Sequence, residues 1–189
     1  IAGLPLSYEV SGRQIRLDSA PLMPDDTETF VRAIYEVSGR SMQRFVDNGN
    51  HDDDFALEPP EGCICIEDRI YVHQGIRILG LGGSYRYRKG NNMFTEAQMG
   101  LRILRQKPKL WRSGGIDILV THAPARHIND FETLTHRGFE CFVRLLDQYR
   151  PKYFVHGHIH KNYGPGIPER SVYHGTTIIN ASGRYVFEY

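Results

Sequence analysis

Histidine and asparagine side chains follow three predicted strands that lie far apart along the chain. Asn50 and His51 follow the first strand, His122 follows the second, and His158 and His160 follow the third. Ligands of layered α/β proteins bind at the carboxyl ends of strands. Imidazole nitrogen combined with amide oxygen suits Zn, Mn or Fe. The pattern therefore predicts one divalent-metal site assembled from three loops.

The two histidines of the third loop are two positions apart. In extended backbone His158 and His160 would point to the same side, whereas a turn beginning at Gly157 can aim them at two different ions. A single histidine is more often a structural residue than a ligand. We assign that structural role to four other histidines: His127, His136, His156 and His174. His156 could in addition hydrogen-bond to a metal-ligating residue and so orient it.

Three helices are predicted from capping signals and apolar stripes. The first covers residues 25–39, where Asp25 and Glu28 have capping-box spacing and an apolar stripe follows. The second covers residues 95–110. The third carries apolar residues at i, i+3, i+4 and i+7 and ends before Pro151.

Short strands and two hairpins complete the predicted fold. The strands cover residues 15–18, 44–46, 63–67, 70–73, 76–81, 116–120, 153–155, 176–180 and 184–188. We expect one hairpin to turn at Asp68-Arg69 and the other at Ser182-Gly183. Helices interleaved with apolar strands imply a single layered α/β domain over residues 1–189, with two sheets packed face to face and helices outside.

Composition excludes several classes of protein. The formal net charge of the 189 residues is +1, so no excess of charge favours nucleic acid or a membrane surface. The basic run of residues 86–89 is interpreted as a solvated loop. The three cysteines have neither disulfide-framework nor zinc-knuckle spacing, which fits a reducing, cytoplasmic setting. No apolar run approaches the ~20 residues that span a bilayer.

Three sequence blocks carry a family resemblance. Gly49-Asn50-His51-Asp52, Thr121-His122-Ala123-Pro124 and Gly157-His158-Ile159-His160 resemble, in order and spacing, three of the five blocks of calcineurin-like metallophosphoesterases. The segment Gly80-Leu81-Gly82-Gly83 also resembles the segment that closes a strand between the first two of these blocks in small bacterial members of the family. The resemblance runs from Arg44 to the carboxyl terminus. It implies a four-layer, two-sheet β-sandwich flanked by helices and a phosphatase or phosphodiesterase that acts on a small soluble phosphoester.

The resemblance also implies roles for individual residues. In this family two metals ~3.5–4 Å apart clamp the phosphate and generate a hydroxide nucleophile. The ligands of one metal are matched by Asn50, His122 and His158. His160 matches a ligand of the other metal, His51 matches the general acid for the leaving group, and Asp52 matches the residue that holds His51. Mn is the expected ion, and Fe, Zn or Mg are alternatives.

Two blocks of the family pattern lack a clear counterpart. Tyr8 stands where the Asp of the first block, Asp-x-His, would be, and Asp18 is the candidate for the metal-bridging carboxylate of the second block, Gly-Asp. The chain does not begin with Met, so the first block is expected either upstream of Ile1 or to have been lost. Tyr8 and Asp18 leave no room for the intervening helix, which favours loss or rearrangement. We therefore expect weak or single-metal binding.

Two other functions are disfavoured by their motifs, and two alternatives stay open. A dinucleotide-binding loop is rejected because Tyr85 stands where its third glycine would be needed, and a serine hydrolase is set aside because no GxSxG motif occurs. Asp47-Asn48 replaces the Arg that protein phosphatases carry before their Gly-Asn-His block, which disfavours that subgroup. The main alternative is a catalytically impaired phosphoesterase-like domain that serves as a binding scaffold. A weaker one is a zinc hydrolase of another class.

Overall fold

The computed structural model describes residues 14–18, 33–38, 41–46, 63–159, 168–182 and 184–189. This part of the chain forms a mixed α/β structure with many strands and few helices. In chain order the elements are β1 (Gln14–Asp18), β2 (Ala33–Ser38), β3 (Ser41–Val46), β4 (Cys63–Cys65), β5 (Arg69–His73), β6 (Ile76–Leu81), β7 (Ser84–Tyr85), β8 (Met93–Phe94), α1 (Glu96–Ser113), β9 (Ile118–Thr121), α2 (Glu140–Tyr149), β10 (Tyr153–His156), β11 (Arg170–Tyr173), β12 (Thr176–Asn180) and β13 (Arg184–Glu188).

The central sheet has six strands in the order β11-β12-β10-β9-β6-β5. Strands β12, β10, β9 and β6 are parallel neighbours, and the edge strands β11 and β5 run antiparallel to them. Parallel strands place their carboxyl ends at one edge of a sheet. The loops that follow β6, β9 and β10 therefore begin at the same edge.

Both faces of the central sheet are apolar, as the continuous apolar run before His122 predicts. Leu119 and Phe154 belong to a buried core cluster that includes side chains of α1 and α2. Ile118, Val120 and Val155 belong to a second buried core cluster, which shares no residue with the first. Because successive side chains of a strand point to opposite faces, a strand buried on both faces has apolar residues at every position.

A second sheet has five strands in the order β13-β1-β2-β3-β4. Its pairs are antiparallel except for β3 and β4, which are parallel. Ile64 of β4 and Tyr185 of β13 pack against the second core cluster of the central sheet. Two further short strands, β7 and β8, pair in parallel with each other.

The two helices begin with different kinds of cap. Thr95 and Gln98 form the predicted capping box of α1, and Gly114 ends that helix with a φ of 72°. Helix α2 has no side-chain cap of its own, and the Glu96 carboxylate instead accepts hydrogen bonds from the Glu140 and Cys141 amides at 3.1 and 2.6 Å. Among the described residues no helix is long and apolar enough to cross a membrane.

The prediction of a helix over residues 25–39 is wrong where the structure describes that segment. Residues Ala33–Ser38 form β2, which pairs with β1 on one side and with β3 on the other. Ile34, Tyr35 and Val37 are β-branched or aromatic, and such residues favour a strand when neighbouring strands are present to pair with. The apolar spacing is compatible with a helix, but long-range pairing decides the outcome.

Both predicted hairpins are also wrong, although their strands exist. Strand β5 pairs with β6 across Gln74-Gly75, and β12 pairs with β11 across His174-Gly175, whereas β4 and β13 join the five-stranded sheet. Each of these turn residues has a positive φ, between 45° and 89°. Two-residue turns of this type match the twist of paired strands. The strand β11 was not predicted.

Candidate functional site

Two of the three predicted ligand loops meet at the carboxyl edge of the central sheet. His122 directly follows β9, and His158 lies two residues beyond β10, the neighbouring parallel strand. The Gly157 amide donates to the His122 carbonyl oxygen at 3.1 Å, which joins the two loops. Parallel pairing thus brings together two histidines that are 36 positions apart.

The rings of His122 and His158 face each other through one nitrogen each. His122 Nε2 lies 3.1 Å from His158 Nδ1, and the ring centroids are 4.8 Å apart. The two residues are 0% and 3% exposed. Because polar atoms at this depth need partners, the two nitrogens either share a proton or bind a common ion.

The Thr135 carbonyl fixes which nitrogen of His158 carries the proton. The carbonyl oxygen lies 2.7 Å from His158 Nε2. A carbonyl oxygen only accepts, so Nε2 donates, and Nδ1 of the neutral ring presents its lone pair toward His122. Metal-ligating histidines characteristically donate their other N–H to a carbonyl or carboxylate. His158 is therefore prepared to coordinate an ion through Nδ1.

A tight turn aims the His158 ring. The Ile159 amide donates to the Gly157 carbonyl at 2.6 Å, which closes the predicted turn around His158. His158 has a φ of 63°, in the left-handed region that residues other than glycine rarely adopt. Such backbone conformations concentrate at functional sites, where the surrounding structure holds them in place.

Asn180, at the end of β12, supports this turn from the next strand. The residue is 3% exposed, and its side-chain Nδ2 donates to the Ile159 carbonyl at 2.9 Å. Its Oδ1 accepts from the Ser182 amide at 3.1 Å, and the Ala181 amide donates to the His156 carbonyl at 2.6 Å. Asn180 was not among the predicted site residues, although a polar residue that ends a buried strand was the signal used for the other loops.

The four histidines predicted to be structural divide into two groups. His127 and His174 are exposed and approach surface carboxylates. His156 is buried, and its Nδ1 donates to the Gly157 carbonyl at 3.1 Å, next to the His158 turn. His136 lies beside the site, with its ring centroid 5.6 Å from that of His158. His136 and His156 thus lie next to His158 or its turn, whereas His127 and His174 are exposed.

The loop after β6 is held by a buried arginine. Arg102 Nη1 donates to the Gly82 carbonyl at 2.8 Å, and the guanidinium also pairs with Glu67. Glu67 in turn accepts a hydrogen bond from the Gly82 amide at 3.0 Å. A Cβ at Gly83 would lie 2.5 Å from the Asn92 carbonyl oxygen, so the loop requires glycine there. Gly83 therefore has a packing role at this edge.

A second arginine, Arg137, makes no hydrogen bond or ion pair with any residue that the structure describes. Its guanidinium lies over the Tyr85 ring, 5.4 Å from the centroid, and Tyr85 packs against Phe139. Arg137 directly follows His136, the neighbour of His158. A planar guanidinium whose N–H donors have no hydrogen-bond partner among the described residues is suited to bind phosphate or carboxylate.

The other predicted site residues cannot be placed next to this pair. Asn50, His51, Asp52 and His160 lie outside the described residues. Asp18 is the last residue of β1, where its backbone is paired with Ala33 and Arg184. Within the described part of the chain, no group of three or more His, Cys, Asp or Glu side chains could hold a metal ion.

The facing histidines fit a divalent ion as two of its ligands. Metal–imidazole bonds of ~2.0–2.1 Å separate neighbouring ligand nitrogens by roughly 2.8–3.0 Å at octahedral angles and by roughly 3.3–3.4 Å at tetrahedral angles, a span of about 2.8–3.4 Å. The observed 3.1 Å between His122 Nε2 and His158 Nδ1 falls in this range. Two neutral imidazoles suit Zn, Mn or Fe, and further ligands have to come from other residues or water.

Sequence comparison decides the family. The profile of the calcineurin-like phosphoesterase family matches residues 26–162, which is more than half of the chain. The chain belongs to the calcineurin-like phosphoesterases. Membership suggests metal-dependent hydrolysis of a phosphoester, and the family as a whole binds divalent metals. The family resemblance read from the three sequence blocks is confirmed.

Comparison of this calcineurin-like phosphoesterase with individual proteins supports no argument beyond the family assignment. The chain is similar to the crystal structure of TT1561 of Thermus thermophilus, with 13% sequence identity and a TM-score of 0.47. The similarity covers 73% of this chain and 63% of the TT1561 chain, so it spans less than two thirds of that protein. No curated protein matches the chain.

Proposed function

We propose that this protein is a metal-dependent phosphoester hydrolase that acts as a phosphatase or phosphodiesterase on a soluble phosphoester. The observation that carries the proposal is the buried pair of facing imidazoles, with His158 Nε2 donating to the Thr135 carbonyl and Nδ1 turned toward His122. The family match supplies the reaction class. Two facing imidazoles are suitable ligands for the divalent ion that this class of reaction uses.

His122 and His158 would hold the first ion together with Asn50. His160 and Asp18 would contribute to a second, weaker position. A bound divalent ion, with Mn expected first and Fe, Zn or Mg as alternatives, supplies Lewis acidity and lowers the pKa of water toward ~7.

The protein's own groups perform the remaining tasks in this proposal. His51 donates a proton to the leaving alkoxide, and Asp52 holds His51 in position. Arg137 attracts the negatively charged phosphoryl oxygens, which is supported by its guanidinium making no hydrogen bond or close ion pair with any described residue. These assignments name a group for protonation of the leaving alkoxide and for stabilisation of the phosphoryl charge.

We also infer that the two large sheets stack as a sandwich with the helices outside. Support comes from Ile64 and Tyr185, which belong to the five-stranded sheet and pack against the core cluster of the central sheet.

The test is a metal-dependent assay on the purified chain. With added Mn²⁺ we expect hydrolysis of bis(p-nitrophenyl) phosphate or p-nitrophenyl phosphate, and chelation by EDTA should abolish it. His51→Ala should remove turnover but retain Mn²⁺ binding measured by calorimetry, because His51 is assigned to proton transfer. His174→Ala is the matched control, since His174 is exposed and pairs with Asp147.

Two results would count against the enzyme. Protein that binds Mn²⁺ but is inert toward both esters, also when the coding sequence upstream of Ile1 is included, would support the binding scaffold. Activity that needs Zn²⁺ and persists in His51→Ala would support a zinc hydrolase of another class.

A further inference from the structure

A long loop carries the carbonyl that holds His158. The β9–α2 loop, residues 122–139, is described throughout and contains neither helix nor strand. Loops of this length are uncommon in compact domains and are usually mobile or functional. The Thr135 carbonyl nevertheless has to stay 2.7 Å from His158 Nε2 to keep the proton there. The loop therefore needs internal contacts that fix its shape.

An ion pair runs through the middle of this loop. Arg126 and Asp130 have side chains that are 6% and 4% exposed, and Arg126 Nη1 donates to Asp130 Oδ2 at 2.8 Å. The same oxygen accepts from the Gly138 amide at 2.9 Å. One carboxylate oxygen thus connects the first part of the loop with its last part. Buried charge-assisted hydrogen bonds of this kind are the stronger ones in proteins.

The two ends of the loop are in direct backbone contact. The Arg126 amide donates to the Phe139 carbonyl at 3.1 Å, and the Phe139 amide donates to the Pro124 carbonyl at 3.2 Å. A Cβ at Gly138 would lie 2.5 Å from the backbone of Ala125, so only glycine permits this approach. The loop is therefore closed at its base, and Asp130 spans its interior.

The segment that contains Thr135 is attached to the same framework. The Phe131 amide donates to the His136 carbonyl at 3.2 Å, and the His136 amide donates to the Thr133 carbonyl at 3.0 Å. Phe131 directly follows Asp130. Displacing Asp130 would therefore move Phe131 and, through His136, the neighbouring Thr135 carbonyl.

We propose that Asp130 is a positioning residue for His158, acting through the β9–α2 loop that carries the Thr135 carbonyl. The inference rests on the proposed function only in treating His158 as a metal ligand. With Asp130 in place, the loop presents an acceptor that keeps the proton on Nε2 and leaves Nδ1 to coordinate. Without it, the acceptor moves away and the ring is no longer restricted to one tautomer.

The test reads the His158 tautomer directly in metal-free protein. In ¹⁵N-histidine-labelled protein treated with EDTA, we expect the parent to show His158 protonated at Nε2 alone, with the signal assigned from His158→Gln. Asp130→Ala should lose this single tautomer and weaken Mn²⁺ binding by about 10- to 100-fold. Asp130→Asn should recover part of both, because its amide oxygen still accepts from Gly138.

Two further variants exclude a general loss of stability as the cause. Asp117→Asn breaks an Arg–Asp pair elsewhere, between Asp117 and Arg77, and should leave the tautomer and the Mn²⁺ affinity unchanged. Gly138→Ala opens the base of the loop without removing a charge and should reproduce Asp130→Ala, also if the latter folds poorly.

One result overturns the inference: His158 stays protonated at Nε2 alone in folded Asp130→Ala or Gly138→Ala. A parent protein that binds no Mn²⁺ and hydrolyses no ester would instead contradict the proposed function. The tautomer comparison needs neither metal nor substrate, so the two failures are distinguishable.

Discussion

Two arginines at opposite ends of the central sheet have very different surroundings. Arg77 lies near the amino end, where it forms a bidentate pair with Asp117 at 2.7 Å and donates to the Ser113 and Gly114 carbonyls. Arg137 lies in the loop at the carboxyl end and has no such partner among the described residues. At the amino end the polar groups are used to join elements of the fold. At the carboxyl end a buried pair of histidines lies in neighbouring loops, and Arg137 makes no hydrogen bond or ion pair with any described residue.

The largest expected effect comes from removing a proposed metal ligand. His158→Gln should abolish Mn²⁺-dependent hydrolysis and weaken Mn²⁺ binding by more than the ~10- to 100-fold typical of residues that only support a ligand. The reason is that Nδ1 is lost at a site where few ligands are available. Calorimetry with Mn²⁺ and hydrolysis of bis(p-nitrophenyl) phosphate measure the two effects. Unchanged Mn²⁺ affinity would show that His158 is not a ligand.

The next largest effect is expected from removing Arg137, which is proposed to bind the phosphoryl oxygens. Arg137→Ala should raise the KM for bis(p-nitrophenyl) phosphate roughly 10-fold or more, since hydrogen bonds to charged groups contribute about 1.5–3 kcal/mol. Mn²⁺ affinity should stay within about twofold of the parent, because an anion-binding residue does not touch the ion. Arg137→Lys should recover only part of the effect, because lysine lacks the planar fork that stacks on Tyr85. An unaltered KM in Arg137→Ala would contradict the role.

Where local signals decided the structure, the sequence predicted it. The capping box at Thr95 predicted α1, and the apolar runs before His122 and His156 predicted two buried strands. Both predicted ligand loops begin where these strands end, so the proximity of His122 and His158 could be expected. Such signals lie within a few residues of the feature that they predict.

Long-range pairing accounts for the errors. Residues Ala33–Ser38 form a strand because β1 and β3 flank them in the sheet. The local sequence does not reveal which strands will be its neighbours. The strand β13 pairs with β1 from the other end of the chain rather than with its neighbour β12. Thr135 was missed for a related reason. Every residue has a carbonyl oxygen, so the sequence cannot mark the one that a distant fold brings to His158.

At the amino end a smaller and purely structural effect is expected. The pKa of the Asp117 carboxyl lies below its ordinary value of 3.8, because Arg77 donates side-chain hydrogen bonds to it. A lowered carboxyl pKa contributes stability that is complete above the unfolded-state value and is lost as the pH falls through the folded-state value. Asp117→Asn should therefore lower the free energy of unfolding by about 2 kcal/mol at pH 7.

The pH dependence of that loss checks its origin. The difference in urea-unfolding free energy between Asp117→Asn and the parent should shrink as the pH falls below about 4, since the parent then also loses the charged carboxylate. Hydrolysis and Mn²⁺ affinity at pH 7 should stay at parental levels. A clear loss of Mn²⁺ affinity would remove the distinction between the two ends of the sheet.

The smallest effect is expected from the exposed partner of Arg126. Arg126 pairs with Glu132 at 2.5 Å as well as with Asp130, and the hydrogen bond from Arg126 lowers the pKa of the Glu132 carboxyl. The Glu132 side chain is 79% exposed, however, so water and salt screen the pair. Glu132→Gln should thus keep His158 protonated at Nε2 and Mn²⁺ affinity within about twofold of the parent. If Glu132→Gln weakened Mn²⁺ binding as much as Asp130→Ala, the cause would be the uncompensated positive charge of Arg126. The shape of the loop that Asp130 holds would then not be the cause.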